Sequence, residues 1–318
     1  MAEENEEDAE NAAENDIKLL LSGVIPEREA EMKEYLEKYS PHFSRCDDRS
    51  GFIIEAGGFG ILKFTQRTMH QMWLLGFAAQ QSLNSYSTTL ICSSGKLDIN
   101  QLNKIPDQLE EENKYKRLIN AIYELAEVSD PTTFLWLDTV PNPTKGKPTD
   151  IEEGVTFDLI CMATAYVFLH EIKHIIFRSD NNAPISPNEE ELKCDLFARS
   201  MMFDRLDNYS KQSGYDLTKL KSKRAMGISL ALFFILVITP LKCWSGTRSH
   251  PSIATRIESM LCDLQIADND NFWLYVASLF LSHLKYLNNC PSTIKFNSFR
   301  ELAMILVKKI ENVANAER

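Results

Sequence analysis

The chain has 318 residues, a formal net charge of −11, 44% hydrophobic residues and 25% charged ones. That supplies ample core for one large domain or two smaller ones. Seven cysteines, an odd number without a C-x-x-C pair, argue against a disulfide framework and for a reducing compartment, and no basic patch interleaved with aromatics supports nucleic-acid binding.

Residues 1–16 carry eight acids and no base, from Glu3 to Asp16, and without them the net charge falls to −3. Such a stretch reads as an acidic disordered tail. It is acidic where a secretory leader would be basic, so a cytoplasmic location is expected. Residues 17–137 read as an N-terminal α/β portion. Within it, Ile17 to Tyr39 is helical around a break at Gly23 to Pro26. Phe52 to Ala56 and Phe59 to Phe64, joined by Gly57-Gly58, predict a hairpin. Residues 67–83 and 107–128 predict helices, and Phe134 to Leu137 a short strand. Residues 138–150, with Pro141, Pro143, Gly146 and Pro148, form the clearest linker. It leads into a helical portion, 151–318, that carries the candidate chemistry.

Thr156 to Phe177 contains no Gly or Pro and is apolar nearly all round, which predicts a buried helix. Inside it lies His170-Glu171-Ile172-Lys173-His174. Histidines four apart share one helix face, so both imidazoles can reach one metal ion, and Glu171 can take a proton from a water beside it. Two histidines and a glutamate are costly to bury in such surroundings without partners, and a metal ion would resolve that cost. Ser179 to Asn188 is rich in turn formers and ends the helix, and Ser186 or Asn188 caps the next one. There Glu191 and Asp195 again stand four apart, placing Glu191 as a third ligand and Asp195 as the carboxylate that orients a ligand histidine. Cys194 lies within the same pentapeptide. Its thiolate is not excluded as a ligand, although a buried free cysteine packing as a small apolar residue is the favoured reading. Cys161, His42, His70 and His283 read as structural.

His170-Glu171-x-x-His174 followed by Glu191-x-x-x-Asp195 resembles the gluzincin metallopeptidases, whose glutamate is the third zinc ligand. His250-Pro251-Ser252-Ile253-Ala254-Thr255-Arg256 is similar to the His-Pro…Arg segment of the CAAX-protease and HtpX heat-shock family. The layout as a whole is most like that of the bacterial phage-exclusion, Lit-type peptidases. The resemblance covers Thr156 to Met260. It implies a predominantly α, α+β fold of zincin type with a small sheet, and an edge strand beside the metal. His170, His174 and Glu191 would hold Zn2+, with Glu171 as general base and proton shuttle. His250 would donate to the oxyanion, and Arg256 would orient His250 or bind substrate backbone. His250 also has a plainer reading as a loop histidine ahead of a helix that Pro251 begins. Two His and one Glu suit zinc best among divalent ions. The implied activity is hydrolysis of protein or peptide substrates in phage defence.

One further segment bears on location. Gly227 to Leu241 is an uncharged run of 15 residues, short of the roughly 20 that a membrane span needs. It reads as a core helix, which disfavours a membrane-bound quality-control protease. Residues 271–287 predict another apolar helix. A sensor or scaffold that keeps fold and metal without proteolysis is the rival from another class, and an intact Glu171 argues against it.

Overall fold

The computed structural model describes residues 2–46 and 51–316, with side chains from residue 12 onward. The acids Glu3 to Glu10 of the expected tail therefore lie outside the described side chains. Helix α1 (Ala2–Val24) stops before Pro26, whose ring opens a 3-10 turn, and α2 (Glu29–Tyr39) ends where Ser40 turns left-handed at φ 43°. Strands β1 (His42–Arg45), β2 (Ile54–Ala56) and β3 (Ile61–Phe64) follow. Next come α3 (Gln66–Cys92), β4 (Lys96–Asp98), α4 (Ile99–Leu102), α5 (Pro106–Glu127) and α6 (Ile151–Ser179). The remainder is α7 (Pro187–Phe203), α8 (Leu206–Ser213), α9 (Leu217–Ile238), α10 (Ile253–Leu261), α11 (Asn271–Tyr286), β5 (Thr293–Lys295) and α12 (Phe299–Ala316). The class is the expected one, α+β and predominantly helical.

Three local differences have physical causes. The α1 backbone takes in the acidic stretch read as a disordered tail, in keeping with the high helix propensity of its Ala and Glu residues. The hairpin is real but its arms are shorter, because Phe59 (φ 56°) and Gly60 (φ 76°) are left-handed and form a 3-10 turn instead of extending β3. β1 joins β3 on the other side in parallel, giving a mixed sheet of order β1-β3-β2, and β4 pairs with β5. Phe134 to Leu137 is not a strand. Leu135 is 88% exposed, while Trp136 packs edge-on against Phe134 and His70, so the segment is held by ring contacts without a β-ladder.

α6 is the central helix. Asp150 caps it by accepting from the amides of Glu152 and Glu153, and it packs on α3, α7 and α9. Two glycines let its neighbours approach closely: a Cβ on Gly76 of α3 would lie 2.2 Å from Ile160 Cγ1, and one on Gly227 of α9 2.4 Å from Met162 Cβ. The run Gly227 to Val237 is buried almost throughout in α9, as expected for a core helix. Among the described helices, α6 is the one long and apolar enough to cross a membrane on length and composition, and 61% of its most apolar window is buried against the rest of the protein.

The Gly227 contact gives a test of sign. On propensity alone, Gly227→Ala should stabilise a helix interior by about 1 kcal/mol. Overpacking against Met162 costs about 1–3 kcal/mol, so net destabilisation is expected in urea unfolding.

Candidate metal centre

The site forms where α6, α7, the loop before α10, and the edge strand β2 meet. Spacing by four on α6 sets the rings of His170 and His174 with centroids 5.0 Å apart. Their Nε2 atoms face each other at 3.2 Å. The Glu191 carboxylate of α7 closes the triangle, with Oε2 3.4 Å from His170 Nε2 and Oε1 3.3 Å from His174 Nε2.

The outer ring nitrogens are both taken. His170 Nδ1 meets Asp195 Oδ1 at 2.9 Å, and His174 Nδ1 meets Glu190 Oε1 at 2.7 Å. An ionised carboxylate only accepts, so each Nδ1 carries the proton and each Nε2 is left facing the common point. Two Nε2 lone pairs and a carboxylate at these distances call for positive charge between them. Protons can supply it: burial works to lower the His170 pKa, but hydrogen bonds to Asp195 and Glu191 outweigh it and raise the value to about 9. Burial likewise works against Glu191, yet the two histidines hold its carboxyl well below the usual range. A divalent cation meets the same demand, and the donor set of two imidazoles and one carboxylate fits it.

Asp195 is fully buried and accepts four hydrogen bonds. Oδ1 takes Tyr166 Oη at 3.1 Å, His170 Nδ1 at 2.9 Å and Arg256 Nη2 at 2.7 Å, and Oδ2 takes Arg256 Nε at 2.8 Å. Burial would raise its pKa, but Arg256 and His170 hold it far below the ordinary carboxylate value. Arg256 is thus placed differently from the sequence expectation. Its guanidinium forks onto Asp195 and reaches Glu191 Oε2 at 3.7 Å, and it is not engaged with His250. A buried carboxylate needs a countercharge more than a half-exposed imidazole does.

His250 stands at the rim with its side chain 55% exposed and Nε2 3.8 Å from Glu191 Oε1. Ser249 Oγ meets its Nδ1 at 2.9 Å, and its amide donates to Thr247 Oγ1. Gly246, at φ 92°, lets this loop double back closely on Ser252 and His250. Cys194 is fully buried, and its Sγ lies with one nitrogen of each histidine inside a 4.8 Å cluster. Burial and the charges of Glu191, Glu190, Asp195 and Glu171 push its thiol pKa far up. Those charges disfavour a thiolate.

Glu171 Oε2 accepts the Ala56 amide at 2.7 Å, which ties the helix to the end of β2. Phe52, Ile54, Glu55 and Ala56 form one wall of a 420 Å³ cleft. His170, Glu171, His174, Glu191 and His250 line the same cleft, and Phe234, Ile235 and Ile238 of α9 form its apolar side. His42, His70 and His283 lie apart from it, and His283 is kept neutral by burial, which lowers its pKa to about 3.

The sequence profile of the Peptidase U49 family matches residues 62–276, a span that holds α6, Glu191, His250 and Arg256. The chain belongs to the Peptidase U49 family. It is therefore a peptidase, with a protein or peptide as substrate. Searches of curated proteins and of solved structures each returned no match. Sequence reasoning about this U49 peptidase missed Tyr166 and the role of Glu190. Tyr166 is four residues before His170 on the same face, a spacing that carried the signal. Glu190 showed only as a first-turn acid.

Two outcomes follow for metal loading. Because His170 is protonated below about 9 without metal, cation affinity should rise with pH by about tenfold per unit for one proton released. Asp195→Asn should weaken the affinity by about 10- to 100-fold. Competition with a chromogenic chelator across a pH series measures both.

Proposed function

We propose that the chain is a zinc-dependent endopeptidase of gluzincin type, with His170, His174 and Glu191 as the metal ligands. The observation that carries this reading is the convergence of both Nε2 atoms and the Glu191 carboxylate at 3.2–3.4 Å, with Glu171 in the same cleft. Glu191 is preferred to Cys194 as third ligand because its two oxygens each face one Nε2, whereas the cysteine sits among carboxylates that oppose its ionisation. Zinc in such a site supplies Lewis-acid polarisation of the scissile carbonyl and brings the pKa of a water towards neutrality.

The chain's own residues do the rest. Glu171 removes the proton of the attacking water and delivers it to the leaving nitrogen, so the peptide bond is cleaved without a covalent intermediate. His250, half-exposed at the rim with Nδ1 held by Ser249, donates from Nε2 to the carbonyl oxygen as it becomes anionic. Asp195 and Arg256 act behind the ligands by holding His170 and Glu191 in place. An extended substrate lies in the cleft beside β2, which forms one of its walls. Seven free thiols suit a reducing compartment, and we place the enzyme in the cytoplasm. A role in phage exclusion rests on the likeness to Lit-type peptidases.

Glu171→Gln should lower hydrolysis of unfolded casein by about 10²- to 10⁴-fold while the variant keeps its zinc. Glu191→Ala should lose the zinc, and Cys194→Ser should retain it, as read by metal mass spectrometry. Undiminished turnover in Glu171→Gln would overturn the mechanism, and zinc lost from Cys194→Ser would overturn the ligand set.

A further inference from the structure

Arg178 lies one turn beyond His174 and two beyond Glu171 on α6, so it rises from the same face of the helix. Its Nη1 donates to two successive carbonyls at the end of β2, Ala56 O at 2.7 Å and Gly57 O at 2.6 Å. The amide of that same Ala56 is the donor to Glu171 Oε2. Gly57, by contrast, turns its amide inward to Ile61 O in β3. Alternation along the strand therefore directs both polar groups of Ala56 away from the sheet and onto α6. One peptide segment is thus clamped at two points by one helix: Arg178 holds its carbonyls, and Glu171 receives its amide.

We propose that Arg178 is a positioning residue for the reaction. By fixing the end of β2 it presses the Ala56 amide against Glu171 and sets the orientation of that carboxylate in the cleft. The inference rests on the reading of Glu171 as general base. With one oxygen bound to a rigid backbone donor, the other is directed towards the reacting water, so proton transfer needs no search among rotamers. Arg178 itself is exposed and stands outside the ligand cluster, so its loss leaves the core and the metal ligands intact.

The test uses the full-length zinc-loaded chain, with hydrogen exchange at residues 52–60 and casein hydrolysis as readouts. In Arg178→Ala we expect the Ala56 amide to exchange at least about tenfold faster. We also expect kcat to fall by about 10- to 100-fold, with KM within about twofold and zinc content unchanged. Arg178→Lys should recover part of the loss. Ala56→Pro removes the donor on an outward-facing edge, where proline leaves the β2–β3 ladder intact, and should reproduce the fall in kcat. Adding Arg178→Ala to it should cost little more, because both changes break one linkage. Unchanged exchange at Ala56 overturns the proposal, as do losses that multiply in the double variant, or a raised KM at constant kcat. Glu171→Gln separates the two readings. If it retains casein turnover the general-base reading has failed, whereas if it is inactive and Arg178→Ala is fully active, only the positioning role has failed.

Discussion

Asp195 sits without solvent exposure where α6, α7 and α10 cross, in surroundings where an unpaired carboxylate costs several kcal/mol. Its four hydrogen bonds come from side chains of two other helices: Tyr166 and His170 on α6, Arg256 on α10. Each donor is needed to keep the charge buried, and each is thereby fixed. The tautomer of His170, the direction of its Nε2 and the place of Glu191 beside Arg256 all follow from this one anion. The cleft is rigid at its floor because the carboxylate beneath it cannot be left unsatisfied.

The electrostatics of the site follow the same logic. Glu171, Glu190, Glu191 and Asp195 surround two imidazoles and leave the centre with a deficit of positive charge. Without a cation, protons on the histidines fill it, as the upward shift of both shows: burial works against protonation of each, and hydrogen bonds to carboxylates prevail. A bound cation would take the place of these protons. Burial, together with these same carboxylates, keeps the Cys194 thiol protonated.

Much of this was legible in the sequence, for a simple reason. Helical periodicity is local, so residues four apart on one uninterrupted apolar run must meet: His170 with His174, Glu191 and Asp195 on a second helix. The predominantly helical class and the buried nature of the run from Gly227 were read from the same periodicity. What escaped depends on tertiary placement. Arg256 was read as a partner of His250 or of substrate, because nothing in a linear chain says that a guanidinium six residues on will turn to Asp195. Phe134 to Leu137 has the composition of a strand, but a strand needs a neighbour, and there the rings found other contacts. The edge strand beside the histidine cluster was visible as a hairpin arm, yet its meeting with Glu171 spans 115 positions and left no trace in local pattern.

The capture of Ala56 by α6 has a consequence for solubility. A short sheet with bare edges is a natural template for strand addition by other copies, the usual start of aggregation. Here both margins are covered: α1 packs over β1, and the last residue of β2 has its amide and carbonyl occupied by Glu171 and Arg178. Just before it, the Ile53 amide is taken by Thr68 Oγ1 and Ile54 is buried. The contacts that hold the cleft wall thus also deny the sheet's edge to other copies of the molecule.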